Sequence, residues 1–305
     1  MQETVSLSGI PQASVIPDQM TGRNILLATD LSDCSQRALD HALEIASRYE
    51  SRLCLFHCID PAPYYLTEPD AAQITRDDAR RELEELVSDL RRRGMARNLE
   101  INVVVDVGDL SVLIPQLVDD LELALVIVGT HGRTGWKKLV LGSVAEMVVD
   151  KVSCPVLCVG PYSDGRRVRE FGPQNIVFAS EHSARCKLAE SYASSLACKY
   201  HSRLTAIDVL ENRLGRVRAR ISQFGWYDPD LESADLDSAE TIPLQLPTEI
   251  GTQSDLILRV ADHVAADLIV LAIPETHNFT HRFVSTNSYQ VLINAACPVL
   301  TVRDR

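Results

Sequence analysis

The feature that most constrains how this chain folds is an internal repeat. Residues 24–53 align with residues 175–204 at an offset of 151, and eleven of these thirty positions are identical. Towards the end of each half the offset is 143, where Cys-Pro-Val-Leu occurs at 154–157 and again at 297–300. Solenoid repeats are much shorter, about 20–50 residues. The sequence therefore predicts a tandem duplication of one domain, with a slightly shorter second copy.

Within each copy, short apolar strands alternate with helices. In the first copy, apolar runs predict strands at 25–29, 53–59, 101–105, 125–128 and 156–159. Apolar residues between them recur at helical spacing, as at Leu83, Val87 and Leu90. Apolar strands separated by helices are typical of a parallel sheet covered on both faces. The sequence thus predicts an α/β protein with two tandem, doubly wound, open parallel-sheet domains of five strands each.

The domain limits follow from the repeat. We assign the first domain to 21–162, a linker to 163–173 and the second domain to 174–305. Residues 1–20 contain no Lys or Arg and no apolar core of a secretion signal, and we interpret them as a disordered leader. The segment Glu211–Pro247 breaks the repeat, because a basic stretch is followed by an acidic one. It is interpreted as a solvated insertion or loosely packed helix, with a partner-binding segment as the alternative.

Composition excludes several classes of partner. The net charge of −12 opposes binding to nucleic acid. No apolar run approaches the roughly 18–20 residues of a membrane span. Eight cysteines are too few for a disulfide scaffold and several lie in apolar runs, as expected in a reducing cytoplasm. His57 lies between Cys54 and Cys58, but alternate residues of a strand face opposite sides, so no metal site is predicted.

Two loops at predicted strand ends carry residues suited to an anionic ligand. They are Asp30 after the first strand, and Gly129, Gly132, Gly142 and Ser143 after the fourth. Ligands of open α/β sheets bind beyond the carboxyl ends of the strands. Glycines allow close approach of a ligand, and a helix start favours an anion. Because Arg133, Lys137 and Lys138 lie in the same loop, these residues predict a phosphate cradle.

Plainer interpretations of these residues stay open. The glycines can serve turn geometry alone, Asp30 can be only a helix cap, and His131 can be a surface group rather than a phosphate contact. The sequence contains neither a P-loop nor a glycine-rich dinucleotide fingerprint after the first strand.

The spacing of these residues resembles a known signature. The pattern Gly129-x2-Gly132-x9-Gly142-Ser143, between an apolar strand and Cys-Pro-Val, is similar to the nucleotide-binding motif of the universal stress protein family. The first strand with its aspartate, 24–30, also resembles that family. The resemblance covers nearly the whole chain as two copies. It implies a five-stranded sheet of order 3-2-1-4-5, of the nucleotide-binding α-hydrolase-like type, and ATP binding in some members.

On the adenosine side, the resemblance implies four contact residues. Ala28, Thr29 and Asp30 would lie against the adenosine. Cys58, on the second strand, would take the place of a small apolar residue near the adenine. A packing role for Cys58 is expected, with redox sensitivity as the alternative.

On the phosphate side, the resemblance implies five more. Gly129 and Gly132 would let the ribose and phosphates approach. Gly142, Ser143 and Val144 would hold the phosphates through backbone N–H groups and the serine hydroxyl. The expected cofactor is ATP, with the need for Mg²⁺ left open.

The second half lacks most of these residues. Glu181 replaces Asp30, Ala272 replaces Gly129, Glu275 replaces Gly132, and Ser285-Thr286 replaces Gly142-Ser143. A glutamate in a phosphate loop repels a triphosphate. The second half is therefore predicted to be degenerate, although Asp267 retains an aspartate that the family often has and that Ala124 replaces in the first half.

Three functions are compatible with the sequence. The leading hypothesis is a nucleotide-dependent sensor or regulator of the stress response, whose ATP-bound state changes its contacts with unknown protein partners. The second is a slow ATPase, although no catalytic base is evident. The third is a ligand-free interaction scaffold.

The repeated Cys-Pro-Val-Leu also predicts how the halves meet. The family resemblance implies pairing through the last strands, as in homodimers of the family. Val156–Val159 and Val299–Val302 are therefore predicted to pair within one chain, which gives a pseudo-dimer and covers two sheet edges. A further homodimer is left open.

Overall fold

The structure is a computed structural model. It describes residues 20–60, 71–130, 141–163, 172–181, 187–211, 217–224, 252–273 and 286–303, with Val168 and Glu170. Most of the loop that carries Gly132, His131 and the three cations lies outside these residues, as does nearly all of the proposed leader. Met20, the last residue assigned to the leader, is buried, and its carbonyl accepts a hydrogen bond from Ser51.

The first half has the predicted alternation of strands and helices. Its elements are β1 (Asn24–Ala28), α1 (Asp33–Arg48), β2 (Arg52–Ile59), α2 (Ala71–Arg92), β3 (Ile101–Val107), α3 (Leu110–Asp120), β4 (Leu123–Gly129), α4 (Ser143–Lys151) and β5 (Val156–Val159). Ser32 is the N-cap of α1, since its side chain accepts from the N–H of Ser35. Gly94, with a φ of 78°, follows the end of α2.

The second half has a similar order with one departure. Its elements are β6 (Asn175–Glu181), α5 (Lys187–Tyr200), β7 (Arg203–Glu211), β8 (Val217–Phe224), α6 (Gln253–His263), β9 (Leu268–Ile273), α7 (Thr286–Asn294) and β10 (Val299–Arg303). Where the first half has a long helix between its second and third strands, the second half passes from β7 to β8 over residues 212–216.

The ten strands of the described residues form one sheet, in the order β3-β2-β1-β4-β5-β10-β9-β6-β7-β8. The first five follow the implied order 3-2-1-4-5, and the second five repeat it in reverse. Both the fold class and the strand order are confirmed. The sheet is parallel within each half except at β8.

The structure corrects the interpretation of residues 211–247 at one strand. Residues 217–224 are not a solvated insertion or loosely packed helix, because they form β8, which pairs antiparallel with β7. A parallel crossover needs about a dozen or more connecting residues, whereas an antiparallel hairpin needs few. The short connection therefore reverses the direction of the third strand, while residues 225–251 lie outside the described part of the chain.

The two halves join through their last strands, as predicted. β5 and β10 pair antiparallel, with Val156 opposite Thr301 and Cys158 opposite Val299. The Thr301 hydroxyl adds a 3.1 Å hydrogen bond to the carbonyl of Val156. This pairing closes two edges that would otherwise expose unpaired backbone groups.

A second contact between the halves lies where α1 and α5 end. Tyr49 and Tyr200, which are equivalent in the repeat, meet edge to face with ring centroids 6.3 Å apart. Arg48 lies over the Tyr200 ring and Lys199 over the Tyr49 ring, each 5.1 Å from the centroid. These reciprocal cation–π contacts place the two halves about a pseudo-twofold axis.

Apolar layers cover both faces of the sheet. Residues of α1, α2 and α5 pack on one face, and residues of α3, α4, α6 and α7 on the other. Along β2, Leu53 and Leu55 face the first layer while Cys54 and Phe56 face the second. The helices that follow β1 and β4 thus lie on opposite faces, which opens a crevice between the carboxyl ends of these two strands.

Candidate functional site

The turn after β1 forms one wall of this crevice. Thr29 donates its N–H to the carbonyl of Phe56 on the neighbouring strand. Its hydroxyl accepts from the N–H of Leu31 at 3.0 Å and lies 3.1 Å from the hydroxyl of Ser35. Leu31 has a φ of 63°, in the left-handed region that a leucine rarely adopts. The surrounding hydrogen bonds hold this strained turn in one conformation.

Asp30 projects from the middle of the same turn and is partly exposed. Its Oδ1 accepts the N–H of Ser32 at 3.0 Å. Asp30 therefore stabilises the turn rather than capping α1, because the cap is the side chain of Ser32. The plain interpretation of Asp30 as the cap of that helix is wrong.

His57 supports this wall from β2. Its Nδ1 lies 2.7 Å from the carbonyl oxygen of Thr29. A carbonyl can only accept, so Nδ1 carries the hydrogen. The predicted strand geometry places His57 and Cys58 on opposite faces of β2. In the structure, His57 orients the peptide bond between Thr29 and Asp30. The sequence contains no local signal for this contact, because it joins two strands.

Gly129 ends β4 directly beside the start of α1. A methyl group at this position would lie 3.2 Å from the sulfur of Cys34 and 3.3 Å from the backbone nitrogen of Ser35. The glycine therefore allows α1 to approach β4. This packing requirement concerns the protein itself, whereas the sequence suggested approach of a ligand.

The next residue ties β4 to the start of α4. Thr130 is buried, and its carbonyl accepts the N–H of Gly142 at 2.7 Å. This bond closes the loop between the two residues. It also uses the N–H of Gly142, which the family resemblance would assign to a phosphate.

The first turn of α4 faces the crevice with open backbone groups. Gly142 is the N-cap and provides no side-chain hydrogen bond, and the first helical bond runs from Glu146 to Gly142. Ser143 and Val144 are both exposed, Val144 by 36%. Their N–H groups precede the first intrahelical donor, so this helix start is suited to an anion.

Cys58 lies at the end of β2, half-buried. Its thiol donates to the carbonyl of Gly108 at 3.3 Å. Burial raises the pKa of this thiol to about 11. The hydrogen bond to Gly108 lowers the pKa, and the charges of nearby aspartates raise it further. A thiol with this pKa is protonated at neutral pH and unreactive. These contacts favour the packing role over the redox alternative.

Hydrogen bonds and packing connect four segments that carry predicted site residues, whereas Cys58 bonds to Gly108 instead. Thr29 contacts Ser35, Ser35 packs on Gly129, and Thr130 bonds to Gly142. Ala28, Asp30, Ser143 and Val144 belong to the same four segments. Gly132 lies outside the described residues, as do His131, Arg133, Lys137 and Lys138.

Neither a candidate metal cluster nor a membrane-spanning helix occurs in the described ranges. No group of three or more His, Cys, Asp or Glu residues there could hold a metal ion. No helix in those ranges is both long and apolar enough to cross a bilayer.

The corresponding position in the second half differs. Ala272, the counterpart of Gly129, lies in β9 beside Val302, and Asp267 precedes that strand. One carboxylate oxygen of Asp267 accepts the N–H groups of Gln174 and Asn175 at 2.9 and 3.0 Å, which fixes the start of β6. Glu275 and Ser285 lie outside the described residues.

The carboxyl end of α4 carries an acid with a perturbed pKa. Burial raises the pKa of Asp150 to about 6. The charge of Arg303 lowers this pKa, and the charge of Glu146 raises it further. Its Oδ1 is buried without a hydrogen-bond partner in the described structure. The raised pKa means that the folded protein binds this proton more tightly than the unfolded chain does. Its stabilising contribution is complete below about pH 4 and is lost as the pH rises through 6.

We expect Asp150→Asn to stabilise the protein at pH 7.5. The pKa difference corresponds to at most about 3 kcal/mol, which partial exposure reduces to about 1 kcal/mol. Urea unfolding at several pH values measures the effect, with the exposed Asp120→Asn as the control of equal charge change. The advantage of Asp150→Asn should shrink towards pH 4.5. An advantage that does not vary with pH would contradict this assignment.

Comparison with known proteins agrees with this architecture. The universal stress protein family profile matches residues 22–160 and 173–303. The chain belongs to this family, as a tandem member. Universal stress protein A homolog 1 of Coxiella burnetii is 30% identical over 144 residues, which cover 45% of this chain and 95% of that protein. A universal stress protein of Methanocaldococcus jannaschii is 27% identical over 138 residues, 45% of this chain and 81% of that protein.

Solved structures agree over nearly the full length. A universal stress protein from Archaeoglobus fulgidus has a TM-score of 0.65 at 20% identity and covers 93% of this chain and 99% of its own. One from Pseudomonas aeruginosa has a TM-score of 0.59 at 17% identity, with 93% and 94% covered. At these identities the likeness concerns the fold alone.

Proposed function

We propose that the first half of this universal stress protein binds an adenine nucleotide, ATP, in the crevice between β1 and β4. The observation that carries the proposal is the start of α4. There Gly142 leaves the helix without a side-chain cap, and Ser143 and Val144 are exposed. A phosphate group would satisfy the open N–H groups of this turn.

The other wall of the crevice, the Thr29–Asp30 turn, is suited to the adenosine part of the nucleotide. The Thr29–Asp30 turn is held by hydrogen bonds from β2 and α1, so it is formed before a ligand arrives. A preformed site loses less conformational entropy on binding. Asp30, on this turn, would lie against the adenosine.

We propose that the nucleotide state acts as a signal rather than as the start of a catalytic cycle. A bound triphosphate would change the surface that this crevice offers to protein partners. The second half would then stabilise or transmit this change. The free cysteines favour a reducing compartment, the cytoplasm.

The proposal is tested by heating the purified chain and identifying the released nucleotide by mass spectrometry. ATP or ADP close to one per chain, absent from Gly142→Glu, supports it, and ADP in place of ATP would indicate slow hydrolysis. An empty protein that also gives no calorimetric signal with Mg-ATP would contradict it and favour a ligand-free scaffold.

A further inference from the structure

The last strand of the second half reaches the candidate phosphate helix of the first half. Arg303 is the final residue of β10, and one guanidinium nitrogen, Nη2, donates to the carbonyls of Val149 and Asp150 at 2.6 Å each. Both carbonyls lie in the last turn of α4, where C=O groups have no intrahelical partner. An arginine at a helix carboxyl end also complements the helix dipole. Residue 303 thus caps a helix of the other half.

The repeat makes this contact one-sided. Gly160 is the counterpart of Arg303 in the repeat. Gly160 follows β5 and Arg303 is the last residue of β10, and these two strands pair at the junction of the halves. A methyl group at Gly160 would lie 3.8 Å from the carbonyl of Ala295, at the carboxyl end of α7. Each half therefore presents this position to the last helix of the other half. Only α4 receives an arginine there, and α4 is the helix with the Gly-Ser start.

Because α4 is short, a change of position at one end also moves the other end. α4 has nine residues, and a helix of this length spans about 14 Å and is marginal without tertiary support. Its inner face packs through Ala145, Val148 and Val149. Arg303 fixes its carboxyl end, so a displacement there would move Ser143 and Val144 as well.

We infer that Arg303 is a positioning residue through which the second half sets the nucleotide affinity of the first half, an inference that rests on the proposed function. It holds α4 in the position in which the N–H groups of Ser143 and Val144 meet the phosphates. By linkage, a nucleotide bound at one end of α4 stabilises the contact of β10 at the other. The degenerate half is therefore part of the working site.

The test compares three full-length variants. Arg303→Met removes the donors and the charge but keeps an extended side chain, whereas Arg303→Lys keeps the charge and can donate to a carbonyl. Arg52→Met removes an exposed arginine that pairs with Glu100 at the far edge of the sheet, and it serves as the control. Calorimetry gives the ATP affinity, and hydrogen exchange with mass spectrometry follows α4 and β10 with and without ATP.

Arg303→Met should weaken ATP binding about three- to tenfold, Arg303→Lys should restore part of the loss, and Arg52→Met should bind as the wild type does. ATP should slow amide exchange in β10 of the wild type but not of Arg303→Met. If Arg303 had a purely structural role, Arg303→Met would lower the melting temperature, but ATP would still slow amide exchange in β10.

Two results overturn the inference in distinguishable ways. If the wild type binds ATP and Arg303→Met binds it equally well with the same protection of β10, Arg303 has no positioning role while the proposed function stands. If the wild type binds no nucleotide, the proposed function fails and the inference falls with it.

Discussion

Gly142→Asp is expected to stabilise the protein while abolishing nucleotide binding. Gly142 is the N-cap of α4 and has φ −59° and ψ 140°, which aspartate adopts without strain. An aspartate cap should add a few tenths of a kcal/mol from its hydrogen bond, and up to about 1 kcal/mol from the helix dipole. The same carboxylate would occupy the phosphate position and repel a triphosphate. Repulsion of about 1–4 kcal/mol per charge predicts a loss of affinity of at least about 100-fold.

Gly142→Asn is the matched control for this change. Asparagine has nearly the same shape and caps a helix about as well, but it has no charge. We expect it to raise the melting temperature slightly and to weaken ATP binding far less than Gly142→Asp does, because its side chain fills the same space without a charge. Thermal unfolding and calorimetry of both variants separate the two effects. Equal ATP binding by the Asp and Asn variants would contradict a phosphate site at this helix start.

Gly129→Ala is expected to destabilise the protein by about 1–3 kcal/mol and to weaken nucleotide binding. The added methyl group would lie 3.2 Å from the sulfur of Cys34 and 3.3 Å from backbone atoms of Cys34 and Ser35. Because backbone cannot rotate away, the start of α1 must move away from β4. Ser35 contacts Thr29, so the displacement reaches the turn that carries Asp30.

Gly160→Ala provides the comparison for this steric argument. Among the described residues, the nearest atoms to its methyl group would lie 3.8 Å away, an ordinary contact. Both changes are glycine to alanine at the carboxyl end of a strand of the same sheet, so they have similar effects on the unfolded chain. Chemical denaturation should show the loss for Gly129→Ala alone. Similar stabilities of the two variants would mean that α1 is not held against Gly129.

The positions of the strands were predictable from the apolar runs and the repeat, whereas their order and the pairing of the last strands were implied by the resemblance to the universal stress protein family. The apolar runs locate the strands, and the second Cys-Pro-Val-Leu marks β10 as the counterpart of β5. The direction of β8 was not predictable in the same way. The absence of a helical pattern after β7 was evident, but the sequence did not distinguish a hairpin strand from a loose insertion.

The site residues were predictable in identity more than in role. Gly129 and Gly142 were identified through spacing, yet the structure uses the first to admit α1 and the N–H of the second to bond Thr130. The contacts of His57 with Thr29 and of Arg303 with α4 were missed. Their partners are backbone carbonyls on other elements, and no local pattern in one sequence records a contact of that kind.

We propose one nucleotide site in each chain, in the first half. Calorimetric titration of the full-length protein with Mg-ATP tests this most directly, using the wild type, Gly142→Asn and Gly142→Asp. We expect one ATP per chain for the first two proteins and no measurable binding for the third. Two ATP per chain would contradict the degenerate second half, and no binding to the wild type would contradict the central claim.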